Sequence, residues 1–178
     1  WVIFQRADST QPTGGANQPT DRGWNFRAYN GVDTSRSIDL TGGSYIVGTW
    51  THLVITFDGT TAIMYVNGAP VNSQSVIGSY APNSGGVQFC VGGYFDATEN
   101  PFMGSIDEVA LYSAPLTGDQ VMAHYQNGID PNRSTPYESL VTTDGAVEYL
   151  RLDEPALNVA LNYGSLGASA NGLYQPGT

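Results

Sequence analysis

Short runs of apolar and β-branched residues, separated by turn residues, recur along most of the chain. The clearest run covers residues 50–57, where alternation places Leu53, Ile55 and Phe57 on one face of a strand. It ends at an Asp-Gly turn signal, and a later Asn-Gly pair predicts a hairpin. The same reasoning predicts further strands at residues 1–6, 24–29, 35–40, 62–66, 69–71, 87–91, 105–112 and 146–152.

One helix interrupts this pattern late in the chain. Thr117 and Gln120 have the spacing of a capping box, Asp119 lies near the positive helix end, and Gly128 is a candidate stop. A short helix is therefore predicted near residues 117–127. Many short strands and one late helix favour an all-β protein built as an antiparallel β-sandwich. The apolar stripe of the helix would contain Leu116, Val121, Met122 and Tyr125.

The middle of the chain contains several motifs in a characteristic order. They read GTWTHLVITFDG at residues 48–59, MYVNG at 64–68 and FMGSIDEVALY at 102–112, followed by APLT at 114–117. In order and spacing they resemble the laminin-G-like jelly-roll domains of the concanavalin A-like lectin/glucanase superfamily, of the type found in bacterial tandem-repeat proteins. The resemblance implies an all-β, concanavalin A-like jelly-roll sandwich.

The end of the chain resembles the opening of the same kind of domain. The sequence AVEYLRLDE at residues 146–154 has the form of the family's first strand. We therefore expect residues 1–128 to be most of a jelly roll that lacks its first strands, and 129–143 to be a linker. Residues 144–178 are then the opening of the next repeat, or a strand that completes a sandwich. That strand would fold back onto its own sheet, as in a circular permutation, or be donated to a neighbouring subunit.

Composition excludes several functions. The chain has 178 residues, six Arg, no Lys and 16 acidic residues, which gives a net charge of −10. Such a surface repels phosphate backbones, and no apolar run is long enough to span a membrane, so nucleic-acid binding and membrane insertion are not expected. The lone Cys90 allows no internal disulfide. Low charge with many Gly, Ser, Thr, Asn and Tyr is typical of a secreted or cell-surface protein.

No catalytic set is recognisable in the sequence. Glycoside hydrolases of the resembled superfamily carry carboxylates spaced along one strand face, whereas the adjacent Asp107 and Glu108 would point to opposite faces. His52 is expected to be a packed strand residue, and His124 is expected to be exposed on the helix. We therefore predict that the protein is not an enzyme.

Calcium is the expected cofactor, if there is one. Ca²⁺ binds several carboxylate and carbonyl oxygens, which acidic jelly rolls with Gly-rich and Asn-rich loops supply, and several relatives of the resembled fold hold structural calcium. Asp107 follows the expected core residue Ile106, and two further carboxylates lie in one predicted loop. The candidate metal ligands are Asp107, Asp96 and Glu99; the alternative is that these carboxylates are only solvated.

Sugar binding requires exposed aromatic rings beside polar groups. Trp24 and Trp50 open strand-like runs and are expected in the core, because tryptophan buries a large apolar area. The candidates therefore come from predicted loops and strand ends. They are Tyr94, Asp96, Asn100 and Tyr80.

Two functions remain open from the sequence. The first is a non-catalytic extracellular jelly-roll repeat that binds a polysaccharide or other glycan, or serves adhesion, within a larger multi-repeat protein. The second is a structural unit of a surface or extracellular fibre, in which neighbouring repeats or subunits of the same protein exchange strands. A glycoside hydrolase is a distant third.

Overall fold

The computed structural model describes residues 1–6, 23–29, 38–76, 80, 89–93, 101–154 and 158–174. The chain divides into two compact units that interleave along the sequence. Unit 1 contains Trp1–Ser84 and Pro115–Pro131, and unit 2 contains Gly85–Ala114 and Asn132–Thr178. The described structure is mostly β, and all its paired strands are antiparallel. No helix in these ranges is long and apolar enough to cross a membrane.

Unit 1 contains two three-stranded antiparallel sheets, with strand orders β1-β2-β3 and β4-β5-β6. The predicted strands at residues 1–6, 24–29 and 62–66 are confirmed to within about one residue. The strand predicted at 50–57 is shorter, because residues 50–52 precede it. The strands are β1 (Val2–Arg6), β2 (Gly23–Ala28), β3 (Ile38–Gly42), β4 (Leu53–Phe57), β5 (Thr61–Val66) and β6 (Ala69–Ser75).

Residues from both sheets of unit 1 form one hydrophobic core. Phe26 lies opposite Leu40 in the first sheet, and both are buried. In the second sheet Met64 is fully buried and lies opposite Ile55, which packs against the same cluster. This confirms that Leu53, Ile55 and Phe57 share a core-facing side. Alternation with period two therefore decides which side of each strand the core occupies.

Helix α1 (Gly118–Ile129) belongs to unit 1 and begins as predicted. The Thr117 hydroxyl accepts the Gln120 backbone N–H at 3.2 Å, and the Gln120 side chain accepts the Thr117 backbone N–H at 2.9 Å. The predicted stop at Gly128 is wrong by about one residue, since the helix ends at Ile129. His124 is only 2% exposed, so the prediction that it faces solvent is also wrong.

Unit 2 is built around a two-stranded antiparallel pair. Strand β8 (Ala146–Leu150) pairs with β7 (Val109–Tyr112) of the same chain. Between them the segment expected to be a linker contains a second, unexpected helix, α2 (Tyr137–Thr143). Val141 of this helix packs with Ala146 and Tyr149 of β8 in a buried cluster. The unit also contains β9 (Val159–Ala160), β10 (Gly172–Leu173) and a 3₁₀ turn, Gly167–Ala170.

Besides the strand predicted at 50–57, the strands predicted at 35–40, 69–71 and 146–152 differ at their ends from β3, β6 and β8, and two others differ more. The strand predicted at 105–112 covers only β7, because Glu108 has a φ of +57° and interrupts extended structure. The run predicted at 87–91 lies partly outside the described residues, and residues 89–91 are not in a strand. The assignment of residues 144–178 to a following repeat stays a prediction.

Candidate functional site

Most of the predicted sugar-binding residues lie outside the described residues. These are Tyr94, Asp96 and Asn100, together with the predicted metal ligand Glu99. Tyr80 is described and is half-buried. Its ring packs edge-on against Phe57 with centroids 5.3 Å apart, and its hydroxyl donates to the Tyr29 carbonyl at 3.4 Å. Burial raises the pKa of the Tyr80 hydroxyl. Packed in this way, the Tyr80 ring supports the core more than it offers a face to a ligand.

Asp107, the remaining predicted metal ligand, is exposed and lies just before β7. Its Oδ1 accepts the Glu108 backbone N–H at 3.0 Å. Partial burial, followed by repulsion from Asp153, raises the pKa of the Asp107 carboxyl. In the part of the chain that the structure describes, no group of three or more His, Cys, Asp or Glu residues is arranged to hold a metal ion. The described donors alone do not form a calcium site, and the calcium site stays a prediction.

The connection between β3 and β4 presents a group of exposed apolar side chains. Trp50 is 66% exposed, Ile46 71% and Val47 90%. The expectation that Trp50 belongs to the core is therefore wrong, because Trp50 precedes β4 by three residues and does not share its alternation. We call residues 45–50 the Trp50 turn.

The first end of the Trp50 turn is fixed to the β1-β2-β3 sheet. The Tyr45 ring packs edge-on against Trp24, with ring centroids 6.3 Å apart. The turn itself is closed by the Thr49 backbone N–H, which donates to the Ile46 carbonyl at 3.1 Å. Gly48, the third residue of this four-residue turn from Ile46 to Thr49, has a φ of +79°, which glycine adopts without steric cost. These contacts define the path of the turn.

The second end of the turn is fixed at His52. The His52 backbone N–H donates to Asn67 Oδ1 at 3.0 Å, and the Asn67 backbone N–H donates to the His52 carbonyl at 2.8 Å. Asn67 has a φ of +52°, the left-handed conformation of its hairpin turn. The His52 ring stacks on Tyr125 of α1. The exposed side chains thus lie on a loop that is anchored at both ends.

The Trp50 turn carries no charge near neutral pH. No Asp, Glu, Lys or Arg occurs in the sequence between Asp39 and Asp58. The only titratable group of that stretch besides Tyr45 is His52, whose pKa is lowered from 6.5 to about 4 by burial and then by repulsion from His124. His52 is therefore neutral at pH 7. In a protein with a net charge of −10, this turn is a neutral, apolar and aromatic surface.

A second group of polar residues surrounds Arg151 in unit 2. Its guanidinium contacts Glu138 Oε2 at 2.6 Å, Asp153 Oδ2 at 2.9 Å and Glu108 Oε1 at 3.9 Å. It also lies 5.9 Å from the centroid of the Tyr163 ring. Local sequence patterns do not predict this network, since its members come from four separate stretches of the chain. Partly exposed ion pairs of this kind contribute little individually to stability.

Glu108 is also bonded to a buried tyrosine. The Tyr149 hydroxyl donates to Glu108 Oε2. Burial raises the pKa of the Glu108 carboxyl, while the bond from Tyr149 and the charge of Arg151 act in the opposite direction. The bond from Tyr149 of β8 to Glu108, which lies just before β7, makes this group a structural contact between the two strands.

Of these two groups of described residues, the Trp50 turn is the one that exposes large apolar side chains. An indole ring offers a flat apolar face and a polar N–H, which suits contact with amphipathic ligands. The sequence signal that could have identified this turn is the position of Trp50. It lies three residues before Leu53, the first core-facing residue of β4, and so does not share the alternation of that strand.

Comparison with known proteins agrees with this fold. The laminin-G-like family model of the concanavalin A-like lectin/glucanases superfamily matches residues 2–122. The chain therefore belongs to the concanavalin A-like lectin/glucanases superfamily, in its laminin-G-like branch.

Among solved structures, that of an S-layer domain-containing protein from Clostridium thermocellum is similar at 22% sequence identity, with a TM-score of 0.40. The match covers 50% of this chain and 45% of that one, so it spans less than half of the solved chain. No curated protein matches the sequence.

Proposed function

We propose that the chain is a non-catalytic, extracellular carbohydrate-binding module of a larger multi-repeat protein, in which Trp50 provides the surface on which a sugar ring stacks. The exposed indole on an anchored turn is the observation that carries this proposal. A preformed aromatic surface favours binding, because little conformational entropy is lost when the ligand docks. Membership of a lectin-like superfamily supports the class of ligand by analogy.

The electrostatics favour a neutral glycan. The turn has no charged residue, and the net charge of −10 repels sulfated or uronate-rich polysaccharides. A single stacked ring gives weak binding. Several repeats linked in one protein would raise the overall affinity through effective concentration, as adhesion to a polysaccharide requires.

Affinity electrophoresis in gels containing neutral polysaccharides tests the proposal. Trp50→Ala is expected to weaken binding about tenfold or more, because it removes the stacking surface while folding is unchanged. Trp1→Ala is the matched control, since Trp1 is 60% exposed but lies outside the turn. Equal retardation of the Trp50→Ala and Trp1→Ala variants, or no retardation of the native chain by any neutral glycan, would contradict the proposal.

A further inference from the structure

The part of unit 2 that begins with α2 and ends with β10, called the C-terminal segment here, holds one edge of β8 by itself. The Ser165 backbone N–H donates to the Ala146 carbonyl at 3.0 Å, and the Leu166 N–H donates to the Val147 carbonyl at 3.0 Å. The side chain of Asn162 adds a bond to the Tyr149 N–H at 2.7 Å. These bonds do not involve β7. The described residues of the C-terminal segment therefore have internal structure of their own.

The opposite edge of β8 is the one that pairs with β7. Leu111 lies opposite Glu148 in this ladder, and the bond from the Tyr149 hydroxyl to Glu108 closes its end. Backbone ladders and a charge-assisted hydrogen bond are satisfied equally well by another chain of identical sequence. The contact between β7 and the C-terminal segment is thus one that a second copy can reproduce.

The connection between the two strands permits such an exchange. Residues 113–145 separate β7 from β8 and include α1, which belongs to unit 1. After α1 the chain returns to unit 2 through residues 129–136, and all eight of these residues are exposed. Little buried area opposes a rearrangement of these exposed residues, so the connection can take the path that an exchanged segment needs.

We propose that the C-terminal segment of one copy of this chain pairs with β7 of a second copy, so that the protein assembles by exchange of β8. The partner is a second copy, because every contact that seats the segment on β7 is supplied by the chain itself. Reciprocal exchange gives a closed dimer, and non-reciprocal exchange along successive copies gives a fibre. This assembly goes beyond glycan binding and does not depend on Trp50.

Disulfide trapping tests the exchange directly. In a Cys90→Ala background, Leu111→Cys and Glu148→Cys are made in separate full-length chains that carry different tags. Directly opposed residues of an antiparallel pair have the Cα separation that a disulfide needs. The two chains are refolded together from urea over a range of concentrations, oxidised and separated on non-reducing gels. The chain carrying both substitutions reports the same disulfide within one copy.

Exchange predicts a mixed disulfide between the two tagged chains, in a yield that rises with concentration. Leu111→Cys mixed with Ser169→Cys, an exposed residue of the same segment, measures chance collisions. The proposal is overturned if the mixed product does not exceed this control, whether or not the doubly substituted chain forms its internal disulfide. A mixed product in excess supports exchange, and glycan binding by the Trp50→Ala variant is scored separately.

Discussion

The imidazole of His52 stacks on the phenol ring of Tyr125, with ring centroids 6.1 Å apart and an angle of 27° between the planes. The contact joins the residue immediately before β4 to Tyr125 of helix α1, more than 70 positions later in the sequence. The His52 Nδ1 atom is buried there and has no hydrogen-bond partner among the described residues. A neutral ring tolerates this position much better than a charged one.

His52 should therefore make the protein less stable in acid. Its pKa is lowered from 6.5 to about 4, so the unfolded chain takes up a proton in this interval while the folded chain does not. The contribution of His52 is fully present above pH 6.5 and declines as the pH falls toward 4, by up to about 3 kcal/mol. Urea unfolding at several pH values measures this loss.

The matched variant is His52→Phe, which keeps a ring against Tyr125 but cannot titrate. We expect its stability to fall less between pH 6.5 and 4 than that of the native chain. The carboxyl groups are the same in both proteins, so their contributions cancel in the difference. Parallel stability curves for the two proteins would show that His52 does not titrate in this way.

Removing the Tyr149 hydroxyl should weaken the contact between β7 and β8. Tyr149→Phe leaves the half-buried Glu108 carboxylate without its donor, at an expected cost of about 1–3 kcal/mol at pH 7. A double-mutant cycle with Glu108→Ala, read by chemical unfolding, isolates the pair, because alanine has no acceptor for the hydroxyl. Additive losses from the two single substitutions would mean that the bond contributes nothing.

Glu108 itself should destabilise the fold as the pH rises. Its pKa is raised by burial, so the folded chain holds this proton more tightly than the unfolded chain. Its favourable contribution is present at low pH and is lost as the pH rises through the folded-state pKa. The stability of the Glu108→Gln variant relative to the native chain should therefore be higher at pH 7 than at pH 4. Thermal melts at both values check the sign, and the opposite order would be inconsistent with a raised pKa.

Asn162 should be among the most sensitive polar residues of unit 2. Its side chain accepts the N–H groups of Tyr149 and Gly164 at 2.7 and 2.8 Å and donates to the Gly167 carbonyl at 3.0 Å. Asn162→Asp places a carboxylate against that carbonyl and should cost at least about 2 kcal/mol. The control Asn158→Asp changes an exposed residue and should alter stability by less than about 0.5 kcal/mol. Similar losses in both variants would argue against the network.

If the predicted calcium site exists, Ca²⁺ should stabilise the folded chain through Asp107. At a free concentration one hundred times the Kd, the gain is about 2.7 kcal/mol. Thermal melts in Ca²⁺, in Mg²⁺ and in EDTA measure it, and Asp107→Asn should abolish the difference. Identical melts of the native chain in Ca²⁺ and EDTA would rule out a stabilising site.

The structural features that depend only on neighbouring residues could be predicted from the sequence. The Thr117 capping box and the alternation of Leu53, Ile55 and Phe57 are local patterns, and the structure confirms both. The prediction that Trp50 is buried is wrong because this residue lies outside β4, the strand that provides the core face.

Long-range contacts could not be predicted in this way. The pairing of β8 with β7 was left open between the chain's own sheet and a neighbour's, because a sequence gives the preference of a strand for pairing without its partner. The bonds of Asn162 were missed for the same reason. They join β8 to the loop that contains Asn162 and Gly167. The turn-rich sequence there predicts a loop but not its contacts.

The separation of β7 from β8 also has a consequence during synthesis. On a ribosome that adds about 5–20 residues per second, the 33 residues of the 113–145 connection take about 2–7 seconds to make. Throughout that interval β7 has been translated and its partner has not. On a polysome, where nascent chains of different lengths lie side by side, an older chain's β8 is available before the younger chain has made its own.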